Sequence, residues 1–85
     1  MKCFVYILKC RDNSFYTGIT NDPQKRFKEH VSGKGGRYTR SHRPVKMVYL
    51  EKTSSRSKAL KRESRIKKMT RQKKTALIKV NWKSL

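Results

Sequence analysis

Two tyrosines, an arginine, a histidine and a glutamate have the types and spacing from which chemistry could be built. Tyr6 and Tyr16 stand ten positions apart in "VYILKCRDNSFYTGIT", on two apolar runs separated by "RDNS". Arg26 follows ten residues later in "QKRFKEH", and His30 four after that, so on a helix these two side chains form one ridge. Glu63 stands out by its surroundings: residues 52 to 85 hold 13 Lys or Arg and this single acid. At about 100° per residue, Ala59, Leu60, Ile66 and Met69 define the core face of a helix, and Glu63 falls inside that arc. A carboxylate on a buried side must be paired, hydrogen-bonded or bound to a cation. Two readings stay open for it: a salt bridge to one of the many basic side chains, or a ligand for Mg²⁺ or Mn²⁺. Such hard ions can use one protein carboxylate together with waters and a substrate phosphate.

The elements that must position these groups follow from patterning. Residues 3 to 9 and 15 to 20 alternate and are rich in aromatic and β-branched side chains, with turn-forming "RDNS" between them, so they read as an antiparallel hairpin. Phe4, Tyr6 and Leu8 share one face of the first strand and Cys3, Val5 and Ile7 the other, which makes this strand central and covered by helices. "NDPQKRFKEHVSG" starts a helix with Asn21 or Asp22 as cap and Pro23 in the first turn, and stops it at Gly33. Phe27 and Val31, four apart, are expected to face the core together. Residues 32 to 43, with three glycines and no apolar periodicity, read as a flexible cationic loop. "RPVKMVYLE" is a third strand with Pro44 at its start. Ser54 or Ser55 can cap a helix to about Met69, and Thr70 a last helix to about Lys79. The expectation is one α/β (α+β) domain over 1–85: a small three-stranded antiparallel sheet covered by helices, in the order β-β-α-β-α-α.

Composition sets the partner class. A chain of 85 residues buries only about 60–65% of its unfolded surface, which leaves little room for a large enclosed substrate cavity. With 24 Lys plus Arg against 5 Asp plus Glu, the net charge of +19 must attract a polyanion, and nucleic acid is the leading partner. An anionic membrane surface is the rival, but it calls for an exposed apolar helix face or a lipidation signal, and neither is evident. "CFVYIL" is too short for a signal-peptide core or a span, so the expected location is cytoplasmic. Cys3 and Cys10 would lie roughly 20 Å apart on one strand, too far for a disulfide, and are read as reduced and structural.

These motifs together resemble the GIY-YIG nucleases. "FVY" at 4–6 stands in the GIY position and "YTG" at 16–18 in the YIG position; "QKRFKEH" supplies the arginine helix and "ALKRESRIKK" the glutamate helix. The spacing is similar to that of the nuclease domain in the bacterial excision-repair incision subunit. His30, "RYTRSHRPVKMVY" and "SRSKALKRE" look more like the small stand-alone bacterial members. The resemblance implies metal-dependent hydrolysis of phosphodiester bonds, with DNA favoured over RNA as substrate and repair or recombination as the candidate setting; the residues themselves leave substrate and pathway open. In it Glu63 would hold Mg²⁺ or Mn²⁺, Arg26 would clamp a phosphate oxygen, Tyr6 and Tyr16 would jointly orient or deprotonate the attacking water, and His30 would shuttle a proton or touch phosphate. Gly18 would permit close packing near the site, or else mark a bulge. Phe4 and Val5 depart from the first tripeptide, and Asn81 lacks the context to carry the asparagine that many members place after the glutamate helix.

The remaining residues concern binding. "GKGG" lacks the full phosphate-loop pattern, so no nucleotide cofactor is expected. Arg37, Tyr38, Arg40 and Arg43 are expected on the nucleic-acid backbone, with Tyr38 able to stack on an unpaired base, and Lys67 is counted with them; a solvated loop touching nothing is the alternative. A monomer is expected in isolation. The rival to an enzyme is a non-catalytic nucleic-acid-binding protein that keeps the nuclease scaffold.

Overall fold

Apolar residues on both faces make the first strand the middle of the sheet. In a computed structural model, which describes residues 2–81 without the side chain of Asn81, β1 (Cys3–Cys10) lies between β2 (Phe15–Thr20) and β3 (Pro44–Thr53), antiparallel to both, in the order β2-β1-β3. Val5, Ile7 and Leu8 on β1 are fully buried. Removing each such side chain from water stabilises the fold by about 1.5–3 kcal/mol. The "RDNS" turn closes through Cys10 N–H donating to Ser14 O at 2.9 Å, with Asn13 in the left-handed region at φ 68°.

Helices cover both faces. Val5 and Ile7 join Cys3, Val48, Tyr49, Ala59 and Ile66 in one buried cluster, so α3 (Arg56–Lys67) lies on that side, and Leu77 and Ile78 bring α4 (Arg71–Asn81) against it. Tyr6 points to the other side, where α1 (Pro23–Val31) and α2 (Arg37–Ser41) pack. The caps fall where the sequence places them. Asp22 accepts from Lys25 N–H, Ser55 from Lys58 N–H and Thr70 from Lys73 N–H. Against β1, β3 slips register between Ile7 and Leu8, which leaves Val48 as the extra residue of a β-bulge. Both cysteines are buried and free.

The structure corrects three expectations. The stretch 32–43 is not all loop: α2 forms within it, so the order is β-β-α-α-β-α-α. Gly36, at φ 143°, lets the chain turn into this helix, and Thr39 is buried at its centre, so tertiary contact rather than periodicity holds it. On α1 the buried residue is His30 at 0% exposure, whereas Val31 is 43% exposed and Phe27 half-buried. The helix docks rotated toward its histidine, whose ring nitrogens find partners inside. On α3, Leu60 is exposed while Ala59 and Ile66 are buried.

Candidate active site

The centre of the site is the Tyr6 ring, lodged on the middle strand. Its cross-strand partner on β2 is Gly18, and a Cβ at that position would stand 2.5 Å from the Tyr6 hydroxyl. Register between β1 and β2 is unbroken here, so Gly18 marks a close approach and not a bulge. Tyr6 is buried, and its hydroxyl lies 2.8 Å from His30 Nε2. The other ring nitrogen, Nδ1, lies 2.7 Å from Thr39 Oγ1. A Cβ on Gly35 would collide with the His30 ring, so that glycine too makes room for the cluster.

Arg26 closes one side. Its Nη2 donates to the Gly35 carbonyl at 2.9 Å and its Nη1 to Glu29 Oε1 at 3.4 Å, and the guanidinium also acts on the Tyr6 hydroxyl; with five N–H donors it keeps capacity for a phosphate. Tyr16 is half-buried; its ring centroid is 6.3 Å from that of Tyr6 and meets the edge of His30 at 5.0 Å. Burial pushes the Tyr6 phenol up to about 12, against the pull of the Arg26 guanidinium, with Tyr16 and Glu63 adding to the rise. Burial, helped by the Arg26 charge, holds His30 below its ordinary value. A neutral imidazole has one donor and one acceptor nitrogen, so either Tyr6 donates to Nε2 and Nδ1–H donates to Thr39, or both bonds run in reverse.

Glu63 approaches from α3, near enough for its charge to act on Tyr6. Its side chain is 18% exposed and pairs with Lys67 Nζ at 3.5 Å. Among the described residues, no group of three or more His, Cys, Asp or Glu side chains forms a metal cluster. A partly exposed carboxylate that pairs, among the described residues, with an exposed lysine fits a hard divalent ion that completes its shell with waters and phosphate. Lys67 sits beside that carboxylate, at the end of α3. Arg37, Arg40 and Arg43 are exposed at and just after α2. Tyr38 is 37% exposed, and its ring stacks with Tyr16 at 5.7 Å and with His42 at 4.1 Å. The carboxamide of Asn81 lies outside the described residues.

The structure thus gathers Tyr6, Tyr16, Arg26 and His30 into one cluster with Glu63 at its margin. Sequence reasoning missed Thr39, Gly35 and His42. The glycines of "GKGG" held the only signal for the second, as a demand for close backbone approach, and nothing local marks the other two.

Comparison with known proteins places the chain in a family. The GIY-YIG catalytic domain family matches residues 2–76. A UPF0213 protein of Syntrophus aciditrophicus is 56% identical over 81 residues, covering 94% of this chain and 93% of that protein. A UPF0213 protein of Staphylococcus haemolyticus is 49% identical, covering 91% and 94%. Among solved structures, the solution NMR structure of the UPF0213 protein of Bacillus halodurans superposes with a TM-score of 0.61 at 41% identity, covering 94% of this chain and 85% of that one. A protein of E. faecalis gives 0.65 at the same identity and coverage. With its family match running through both tyrosine strands, the arginine helix and the glutamate helix, the chain belongs to the GIY-YIG catalytic domain family.

Proposed function

We propose that residues 1–85 form one domain acting as a divalent-metal-dependent endonuclease that hydrolyses phosphodiester bonds in DNA. The observation that carries this reading is the buried Tyr6–His30 hydrogen bond of 2.8 Å beside Arg26, because it joins a phenol to a neutral base next to a phosphate-binding cation. A phenol held near 12 is almost wholly protonated at neutral pH and cannot itself be the resting base. It can pass a proton on. As an attacking water gives its proton to the Tyr6 oxygen, the phenol proton moves to His30 Nε2, while Nδ1–H rests on Thr39 Oγ1. Tyr16 borders the same space and helps to orient the water. Arg26 offers N–H groups to a non-bridging phosphate oxygen.

Glu63 would hold Mg²⁺ or Mn²⁺. Bound there, the ion supplies polarisation of the phosphoryl oxygen and charge stabilisation of the leaving oxygen. Exposed Arg37, Arg40 and Arg43 serve the backbone on either side. No helix among the described residues is long and apolar enough to cross a membrane.

The test is cleavage of labelled duplex, single-stranded and branched DNA and matching RNA in Mg²⁺, Mn²⁺ or EDTA, comparing wild type with Glu63→Ala. Metal-dependent cutting by wild type and none by the variant, with binding retained, supports the reading. Salt-sensitive binding with no cutting by either protein would favour a scaffold that binds without catalysis.

A further inference from the structure

The rings of the site continue outward. From Tyr6 the series passes to Tyr16, then to Tyr38 at 5.7 Å and 26° between planes, then to His42 at 4.1 Å and 6°. His42 is held in this stack by more than its ring. Its Nδ1 lies 3.1 Å from the Tyr38 carbonyl oxygen, and its Nε2 lies 3.7 Å from Asp12 Oδ2. Asp12 is itself fixed, its other carboxylate oxygen accepting from the N–H and hydroxyl of Ser14. Arg11 N–H donates to the Arg43 carbonyl at 2.9 Å, which ties the β1–β2 turn to the residue after His42. The last ring is therefore a fixed plane. Its side chain is 37% exposed, and among the described residues it meets no aromatic ring other than Tyr38.

A preorganised flat ring at the end of an aromatic series, on a segment that also carries the exposed Arg37, Arg40 and Arg43, suits one kind of ligand. Bases that have left the duplex stack on aromatic side chains, histidine included, while neighbouring cations hold their phosphates. We infer that the outer face of His42 is a stacking platform for an unpaired nucleobase of single-stranded nucleic acid, with Arg37, Arg40 and Arg43 receiving the adjoining phosphates. The platform rests on the nucleic-acid reading above and adds a ligand class to it: the strand entering the site is unpaired where it crosses His42. Tyr38 stands one place further in, its ring in contact with both Tyr16 and His42.

The experiment measures binding, not cutting, in EDTA. Oligonucleotides bearing 2-aminopurine are presented as single-stranded DNA, single-stranded RNA and duplex DNA to wild type, His42→Ala and His42→Phe. The expected result is quenching of 2-aminopurine by wild type in the single-stranded arms, lost in His42→Ala together with about 5- to 150-fold of single-strand affinity. His42→Phe, which keeps a plane, restores both, and duplex affinity changes little throughout. The DNA and RNA arms show which backbone is preferred. Unchanged single-strand quenching and affinity in His42→Ala would overturn the platform, as would an equal loss on duplex or a failure of His42→Phe to restore quenching. Wild type that binds no nucleic acid at all would overturn the nucleic-acid reading first, and the platform with it.

Discussion

Gly18 and Tyr6 face each other across the β1–β2 ladder, and the hydrogen at Cα of the one is the room in which the ring of the other lies. Gly18 has no positive φ, so its requirement is space rather than backbone freedom. Gly18→Ala is therefore expected to lower stability by about 1–3 kcal/mol as the ring is pushed aside. Cleavage by the fraction that remains folded should fall further than stability alone explains. Denaturant midpoints and specific activity on one preparation check this; an alanine variant with both unchanged would mean that the ring relaxes freely.

Thr39 acts on the site through His30. Thr39→Val keeps the shape but removes the hydroxyl that lies 2.7 Å from Nδ1, leaving a buried nitrogen without its partner. The expected loss is about 1–3 kcal/mol of stability. The ¹⁵N shifts of the His30 ring should report a changed tautomer balance, and Thr39→Ser should restore it. Shifts identical in Thr39→Val and wild type would show that Thr39 does not set the tautomer.

Stability should fall at both ends of the pH scale. His30 is held below 6.5, so the unfolded chain gains its proton first; the contribution of the neutral ring is present above pH 6.5 and is lost as pH falls below it. Tyr6 is raised from 10.0 to about 12, so its contribution is present below pH 10 and is lost as pH rises through that range. Burial raises Tyr49 as well, with its bond to Glu51 adding to the rise, so Tyr6 and Tyr49 should show late phenolate absorbance. Denaturant midpoints across these windows test the signs, and His30→Phe should flatten the acid limb.

Lys67 competes for the carboxylate that would hold the cation. It is 55% exposed and 3.5 Å from Glu63, so its removal should tighten Mn²⁺ binding only modestly, by up to about fivefold. Titration of Lys67→Ala by electron paramagnetic resonance without nucleic acid reads this directly. If Lys67 also contacts phosphate, the slope of log affinity against log salt should shrink by about 0.9. Weaker Mn²⁺ binding in this variant would count against Glu63 as the ligand.

Much of this protein was determined by sequence alone. The two-faced apolar strand had to be central, because each face of its alternating side chains needed cover. Asn21 or Asp22, Ser54 or Ser55, and Thr70 had to start helices, because each can supply an oxygen to N–H groups that the first turn leaves unpaired, and the structure uses Asp22, Ser55 and Thr70. Tyr6, Tyr16, Arg26, His30 and Glu63 could be named because their motifs resemble those of the GIY-YIG nucleases. The docking of the helices could not. Val31 lies exposed and His30 buried because a hydrogen bond across 24 residues, to Tyr6, fixes the rotation of α1. Thr39 and Gly35 belong to the site, and Tyr38 yields its outer place to His42, because α2 forms only where these residues meet α1 and the β1–β2 hairpin. Periodicity and capping act within a turn or two of the chain, so the sequence settles the elements; the partners of a buried polar ring come from distant segments, and only the packed tertiary structure chooses them.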